Sequence, residues 1–399
     1  MKKSFLKKLI NNFREDFPLQ IVNTLVYLLD FFYSAPEQKS TGTKYILIVR
    51  TDLLGDFIIW FNGLKIITEK FRSQNYKVIL LANEAWAPLA EKTKAFEEII
   101  TINRKKYFKD FSYRKNILNK LNEYGFEFLF QTAYSRDFAV ADSIARNVRA
   151  KNKIAFRRNS EAEYGIWNLL SSDWYTKLIQ ADKNKEFEFY RVKEFLSSIN
   201  IQIEKYSTDM TEYFPNSEKK EKYFVIIPGA GAARRRLEPE KFSEVITNIR
   251  NKTGWECIIC GAPSEAELAE KIQAEVNFPV KNLIGKTSLI ELGNVLANSK
   301  LVLGNETGAL HFAAALNIQT VCILGGGHFK KCMPYEVSVT GNEIIPEAVY
   351  QKMECFNCNW RCKYVTEKNE IVPCISNLTS EFIWQKTEPF LNQLAGQSL

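Results

Sequence analysis

The sequence predicts an α/β protein built from two doubly wound domains, each with a parallel sheet covered by helices on both faces. Short apolar runs alternate with helical stretches along most of the chain, and this alternation pauses at a polar stretch, residues 215–223, before it resumes. The length of 399 residues, with 46% hydrophobic and 25% charged residues, suits two globular cores and excludes a disordered or fibrous chain. A net charge of +8 favours a negatively charged partner without choosing among lipid, nucleotide and glycan.

Residues 1–42 are predicted to form a basic amphipathic amino-terminal segment. Lys2, Lys3, Lys7 and Lys8 alternate with apolar residues at helical spacing, which is typical of helices that lie on anionic membranes. The apolar run 19–33 is too short to span a bilayer comfortably and has no small-residue cleavage site, so we predict neither a transmembrane helix nor an export signal. A cytoplasmic location follows. Peripheral attachment to the inner face of the cytoplasmic membrane and simple packing on the domain are both open.

The first domain is predicted over residues 43–217. Its strands are predicted at 44–50, 77–83, 98–102 and 126–132. Because open parallel sheets bind ligands at the carboxyl ends of their strands, the loop "RTDLLGDF" after the first strand is a candidate site. Asp56 falls at or beside the start of the following helix, where it either caps the helix or removes a proton from an acceptor hydroxyl.

The second domain is predicted over residues 218–345. Its strands are predicted at 223–230, 256–262, 281–285, 301–306 and 320–327. The loop "PGAGAARRRLEPEKF" follows the first of them; Gly229 permits close approach of a ligand, and Arg235 and Arg236 can clamp a diphosphate. The alternative for the arginines is a solvated charged surface. Glu265, after "CGAPS", is a candidate by its position at a strand end.

The stretch "NETGALHFAAAL", residues 305–316, is predicted to be a strand-to-helix corner. Backbone N–H groups at a helix amino terminus attract phosphate oxygens, Thr307 adds a hydroxyl donor, and Gly308 lets a ligand approach closely. Glu306 would repel phosphate, so we expect it to accept hydrogen bonds from sugar hydroxyls. His311 is either a site residue or a buried histidine bonded to a backbone carbonyl.

Two basic segments, 103–116 and 146–159, contain interleaved aromatic residues. They could bind an anionic acceptor or form solvated loop surface. No recognised nucleic-acid reader motif accompanies them, so we predict no nucleic-acid partner.

Residues 346–399 are predicted to be a cysteine-rich segment followed by a carboxyl-terminal helix. Cys355 and Cys358 have a spacing that suits tetrahedral zinc, whereas the spacing from Cys358 to Cys362 is not that of a standard second knuckle; Cys374 is the fourth member. With no export signal, disulfides are disfavoured. A structural zinc and reduced structural thiols remain the alternatives.

These loops together resemble the glycosyltransferase family that includes the ADP-heptose:lipopolysaccharide heptosyltransferases. The resemblance covers roughly residues 44–345, and its most specific part is "LIGKTSLIELGNVLANSKLVLGNETGALHFAAAL". It implies a GT-B fold of two Rossmann-like domains, with the acceptor in the first, the nucleotide-sugar in the second and catalysis in the cleft.

The resemblance also implies residue roles. Asp56 matches the aspartate of the family's Gly-Asp pair and is the implied catalytic base, and Arg236 falls where the family usually has a lysine that contacts the donor phosphates. With the candidates named above, the predicted donor-binding set is Gly229, Arg235, Arg236, Glu265, Glu306, Thr307, Gly308 and His311. The predicted acceptor-binding residues are Arg50, Thr51 and Asp52.

Two departures from the family pattern concern the donor. The family usually has Asp at the position of Glu306, and Trp where this chain has Glu238, before Pro239. A longer carboxylate shifts a sugar contact by about a bond length, so the identity of the donor sugar stays open.

The predicted activity is an inverting, metal-independent glycosyl transfer, from ADP-heptose to a lipid-linked glycan such as the lipopolysaccharide core, without a cofactor. A GT-B epimerase acting on a nucleotide sugar and a non-catalytic glycan-binding or scaffold protein are the alternatives. A nicotinamide-dependent enzyme is disfavoured because neither first strand precedes a full Gly-x-Gly-x-x-Gly motif.

Overall fold

The chain contains two compact α/β units, each built on a six-stranded sheet. The computed structural model describes residues 20–37, 42–157, 165–215, 222–365, 367 and 370–396. The first unit comprises the described residues of 1–53, 63–182 and 194–201, and the second those of 54–62, 183–193 and 202–399. The prediction for the basic residues 1–19 lies outside the described residues.

The amino-terminal half of the described chain alternates strands and helices. Its strands are β1 (Lys44–Arg50), β2 (Tyr76–Asn83), β3 (Glu98–Ile102), β4 (Phe126–Gln131), β5 (Ala150–Phe156) and β6 (Lys177–Ile179). Its helices are α1 (residues 20–31), α2 (Leu54–Arg72), α3 (Ala87–Thr93), α4 (Arg104–Lys109), α5 (Phe111–Asn122), α6 (Ser143–Asn147), α7 (Gly165–Ser172) and α8 (Glu188–Ser198).

The sheet of the first unit has the strand order β3-β2-β1-β4-β5-β6, and every neighbouring pair is parallel. The winding reverses between β1 and β4, so the loop after β1 lies at the point where ligands bind in such sheets. β1 is apolar on both faces because helices cover both sides: Ile46, Leu47 and Ile48 are fully buried.

The second unit repeats this plan. Its strands are β7 (Tyr223–Ile227), β8 (Glu256–Ile259), β9 (Val280–Asn282), β10 (Leu301–Asn305), β11 (Thr320–Ile323) and β12 (Glu347–Val349). Its later helices are α9 (Pro239–Thr253), α10 (Ala266–Glu275), α11 (Leu289–Ala297), α12 (Gly308–Ala315), α13 (Pro373–Ser376) and α14 (Ser380–Gly396). The parallel order β12-β11-β10-β7-β8-β9 puts the winding reversal between β7 and β10. The predicted class, two doubly wound parallel sheets, is confirmed.

The division into units differs from the predicted boundaries at several points. Residues 54–62, the first half of α2, belong to the second unit. The hydroxyl of Tyr206 donates to the carbonyl of Ile59 at 2.7 Å, and Asn62 donates to the carbonyl of Ser207 at 2.9 Å. The predicted separate segment 346–399 also belongs to the second unit, since its strand β12 joins the sheet and its helix α14 packs on the core.

The two basic segments are not the solvated loops that one interpretation predicted. Residues 104–109 and 111–122 are the helices α4 and α5, and Arg114 of α5 is buried against Asp30. The second segment contains β5, which was not predicted as a strand. Among the described residues, no helix is both long enough and apolar enough to cross a membrane.

Candidate active site

The corner between β10 and α12 presents hydrogen-bond donors that have no acceptor in the part of the chain that the structure describes. Thr307 is the amino-terminal cap of α12, but its side chain makes no capping hydrogen bond. Its Oγ1 is buried and has no hydrogen-bond partner among the described residues. The first backbone N–H groups of a helix also have no acceptor within the helix. The predicted corner therefore has the donors that an anion requires.

The start of α2 lies directly against the start of α12. A Cβ atom built on Gly308 would lie 2.8 Å from the backbone nitrogen of Gly55, and one built on Gly55 would lie 3.3 Å from the Cα of Gly308. Only glycines allow such an approach. Asp56, the next residue, is in the first turn of α2, and its negative charge acts on Glu306, the residue before Thr307.

Asn305, the last residue of β10, ties the arginine-containing loop to this corner. Its Nδ2 donates to the carbonyl of Pro228 at 2.7 Å, and its Oδ1 accepts from the backbone N–H of Leu237 at 3.1 Å. The side chain is fully buried. Asn305 was not predicted as a site residue, although a polar residue at the end of an apolar strand was a signal that could have identified it.

The arginine side chains present unused donors. The Nε atoms of Arg235 and Arg236 are buried and have no hydrogen-bond partner within the described ranges. The guanidinium of Arg235 lies 4.0 Å from the ring centre of Trp360, a cation–π contact that limits its movement. Burial lowers the pKa of Arg235, and the charge of Glu306 opposes that effect. Trp360 was not predicted, because nothing in its local sequence relates it to the loop at 235.

Glu306 is close enough to Arg235 and Asp56 for both charges to act on its pKa. Burial raises its pKa to about 7; the positive charge of Arg235 opposes the rise, and the negative charge of Asp56 adds to it. Glu306 therefore gains or loses a proton near neutral pH, whereas an ordinary glutamate is ionised there. The corner combines a carboxylate at the start of α2, a second carboxylate that titrates near pH 7, and unpaired donors. This set can accept a proton from a hydroxyl and hold a diphosphate.

His311 lies beneath the two helix starts. Its side chain is 4% exposed, and burial lowers its pKa to about 4, so the imidazole is neutral at pH 7. Its Nδ1 is 3.1 Å from the hydroxyl of Tyr335, and a Cβ built on Gly55 would lie 3.4 Å from its Cδ2. The interpretation as a buried histidine is thus the closer one, although the partner is a tyrosine hydroxyl and not a backbone carbonyl. The burial favours a positioning role over the predicted direct donor contact.

Gly229 and Glu265 are brought together at the carboxyl ends of β7 and β8. A Cβ on Gly229 would overlap the Glu265 carboxylate, 1.8 Å from Oε1, while Oε2 accepts from the backbone N–H of Ala262 at 2.9 Å. Gly229 is therefore required by the Glu265 side chain within the protein. This packing gives Glu265 a structural partner in addition to its predicted donor contact.

The predicted acceptor residues lie in the first unit, at the end of β1. Arg50 is 1% exposed and pairs with the Asp52 carboxylate at 2.9 Å, and Thr51 is 5% exposed. Asn83 and Trp86 donate to the carbonyl of Asp52 at 3.0 and 2.9 Å. Arg50 and Thr51 are buried at the end of β1, and Asp52 has the most exposed side chain of the three. Direct contact of these residues with an acceptor stays a prediction.

The four clustered cysteines line one small pocket of the second unit, with a cavity volume of about 10 Å³. Cys355, Cys358 and Cys362 are half-buried, Cys374 is buried, and all four are free thiols. Among the described residues, no three His, Cys, Asp or Glu side chains are grouped so that they could hold a metal ion. The geometry gives the zinc hypothesis no support, and it stays a prediction.

The model of glycosyltransferase family 9 (heptosyltransferase) matches residues 140–361. Lipooligosaccharide heptosyltransferase 2 of Campylobacter jejuni is 26% identical over 233 residues, which are 52% of this chain and 73% of that protein. Further curated heptosyltransferases align over 31% to 56% of their own length.

Two solved structures share the architecture. A family 9 glycosyl transferase from Veillonella parvula has a TM-score of 0.67 and 14% identity, covering 90% of this chain and all of the other. The Escherichia coli heptosyltransferase WaaC with ADP-2-deoxy-2-fluoro heptose has a TM-score of 0.63 and 19% identity, covering 86% of this chain and 99% of the other. At these identities the likeness concerns the fold, and it confirms the predicted GT-B class of two Rossmann-like domains.

Proposed function

Because the chain belongs to glycosyltransferase family 9, we propose that it transfers heptose from ADP-heptose to a lipid-linked glycan of the lipopolysaccharide core type. The observation that carries this proposal is the set of buried donor atoms on Arg235, Arg236 and Thr307, which have no hydrogen-bond partner among the described residues. Thr307 precedes Gly308, which lies against Gly55, the residue before Asp56. Buried donors without partners are costly, so they favour a ligand that supplies acceptor oxygens. A diphosphate has such oxygens on both phosphates.

In the proposed reaction, Asp56 removes the proton of an acceptor hydroxyl. The hydroxyl oxygen attacks the anomeric carbon from the face opposite the diphosphate, a new carbon–oxygen bond forms, and the bond to the phosphate oxygen breaks with inversion. The leaving ADP carries the developing negative charge. Arg235, Arg236, the Thr307 hydroxyl and the first N–H groups of α12 stabilise it. Glu306 accepts hydrogen bonds from sugar hydroxyls.

We propose that the transfer needs no metal, since two guanidinium groups and a helix amino terminus supply positive charge where a metal would. The expected result is unchanged turnover after treatment with EDTA. Zinc in the cysteine-lined pocket is a separate, structural proposal, because the pocket belongs to the carboxyl-terminal segment. Elemental analysis of the purified protein tests it, and less than about a tenth of an equivalent would end it.

The acceptor is proposed to bind the first unit, near Asp52, whose side chain is partly exposed. Because that acceptor is anchored in a bilayer, we also propose that the protein works peripherally on the inner face of the cytoplasmic membrane. The basic amino-terminal sequence supports this location through its lysines.

The test is calorimetric binding of ADP, UDP, GDP and CMP to the full-length protein. We expect selective ADP binding, and we expect Thr307→Ala combined with Arg236→Ala to weaken it by about a hundred-fold, because two charge-assisted or hydroxyl bonds are lost. Arg250→Ala removes the same positive charge from α9, where Arg250 donates to the Gly254 carbonyl at 2.6 Å and lies 5.8 Å from the ring centre of Phe278. It should bind ADP normally.

Other outcomes change the proposal in defined ways. Selective UDP or GDP binding keeps a glycosyltransferase but rejects ADP-heptose as the donor. Binding of none of the four nucleotides rejects the donor site and favours a non-catalytic glycan-binding protein. If a nucleotide sugar is converted without an added acceptor, the enzyme is an epimerase.

A further inference from the structure

Helix α1 exposes its large apolar side chains and buries polar ones. Asn23, Val26 and Asp30 face the first unit and are only 1%, 2% and 4% exposed. The exposed apolar residues are Ile21, Leu25, Leu28 and Phe31 of α1 and Phe32 directly after it, exposed by 45%, 55%, 49%, 69% and 76%. The spacing of three and four residues puts them on one side of the helix. A helix packed on a water-exposed domain normally has the opposite distribution.

The orientation of α1 is set by specific polar contacts and not by loose packing. Asp30 pairs with the buried Arg114, and Ser143 donates to the same carboxylate at 3.2 Å. Arg146 donates to the carbonyl of Tyr27 at 3.1 Å and lies 4.4 Å from the centre of its ring. Turning the apolar face inward would break these interactions, and the loss of the buried Asp30–Arg114 pair is especially costly.

A cationic pocket adjoins the apolar face. It lies where β1, β4 and β5 begin, and its basic lining residues are Lys44, Arg146, Arg149, Lys151 and Lys153. Glu127 also lines it, paired with Lys151 at 2.8 Å. Arg146 contacts Tyr27 within α1, and Arg149 donates to the carbonyls of Pro36 and Ala35, which follow α1, at 2.6 and 2.9 Å. Two basic residues of the pocket therefore contact α1 and the residues that follow it, within the first unit.

We propose that this surface, the outer face of α1 together with the cationic pocket, docks the protein on an anionic lipid bilayer. The apolar side chains enter the boundary between headgroups and acyl chains, and the basic residues meet lipid phosphates. A second copy of the chain fits less well, because a symmetric interface would bring two cationic pockets together. β1, β4 and β5 begin at this surface, whereas the loop of Asp52 follows the carboxyl end of β1. Docking therefore leaves that loop accessible.

This inference deepens the proposed peripheral location and rests on the proposed function only for the choice of bilayer. The experiment is co-sedimentation of the full-length protein with vesicles of phosphatidylcholine and phosphatidylglycerol, without donor or acceptor. Substituting Leu25→Ser, Phe31→Ser and Phe32→Ser together should reduce the partition coefficient at least about ten-fold. Val337→Ser, which changes an apolar residue of the second unit that is 68% exposed, should leave it unchanged.

A second variant tests the cationic pocket. Lys44→Gln with Lys151→Gln should weaken binding to the anionic vesicles and flatten its salt dependence, because each lysine near the surface contributes attraction that salt screens. Vesicles of phosphatidylcholine alone should show little difference between this variant and the wild type.

Three outcomes would overturn the inference. One is wild-type vesicle binding by the triple serine variant, which would assign attachment to residues 1–19 alone. Another is equal binding to both kinds of vesicle, and the third is a wild-type dimer in sedimentation velocity that the triple variant loses. An ADP titration of the variant shows that it is folded. Loss of vesicle binding with intact ADP binding supports the inference, and absent ADP binding in the wild type concerns only the transferase proposal.

Discussion

Gly308→Ala tests the contact that places Asp56 beside the donor site. The added Cβ would lie 2.8 Å from the Gly55 nitrogen and 3.0 Å from the Leu54 Cβ, whereas ordinary contact begins at 3.4 Å. Neither neighbour is the end of a flexible side chain, so the two helix starts have to separate by about 0.6 Å. A shift of about 1 Å in a reacting group can cost a hundred-fold in rate, so we expect kcat to fall roughly ten-fold.

The assay is steady-state transfer from ADP-heptose, with ADP binding and urea unfolding measured on the same preparation. Overpacking should lower the free energy of unfolding by about 1–3 kcal/mol, and ADP should still bind if α12 keeps its position. Gly341→Ala is the matched control, because its Cβ would meet nothing closer than 3.4 Å. Wild-type kcat and unfolding midpoint in Gly308→Ala would refute the argument that this approach positions Asp56.

Four further substitutions follow from the site. Asp56→Asn should reduce transfer at least about a thousand-fold, with ADP affinity within a few-fold; loss of ADP binding would show that Asp56 is structural. Glu306→Gln should flatten the pH dependence of stability. The folded pKa of Glu306, about 7, exceeds the ordinary 4.5, so the wild type loses stability as the pH rises between these two values. Urea unfolding of both proteins at about pH 4.5 and about pH 7 measures the difference. Asn305→Ala should lower the free energy of unfolding by about 2–4 kcal/mol and raise KM for the donor, since two buried backbone groups lose their partner; an unchanged KM would contradict its role in holding the loop. Trp360→Leu should raise the donor KM about three-fold by releasing Arg235, with kcat unchanged, and an Arg235→Lys background should remove most of that effect.

Several parts of the fold follow from local sequence alone. The apolar runs of β1, β3 and β10 and the alternation with helices predict two parallel sheets, because a strand buried on both faces has to be apolar throughout. The rule that ligands bind at strand ends then selects the loops of Asp56, Arg235 and Thr307. Their residue types are chemically informative without any structure, because guanidinium groups and helix amino termini bind anions.

The tertiary structure decides what these residues touch. His311 is neutral because burial lowers its pKa, and Glu306 titrates near pH 7 because burial raises its own. No local pattern encodes either environment. The sequence alone shows only that Arg50 is a basic residue, whereas the structure shows that it is buried and paired with Asp52.

The sequence by itself determined the periodicity of the strands and helices. It also supplied the glycines that allow close backbone contacts and the charges available for a diphosphate. These features depend on residue type and on near neighbours in the chain. Only the tertiary structure decided that Asn305 holds the arginine loop, that Trp360 stacks on Arg235, and that α1 turns its apolar face outward. Each of these joins residues that are distant along the chain. Their free energy comes from burial and from the geometry of hydrogen bonds, which exist only once the two units have folded.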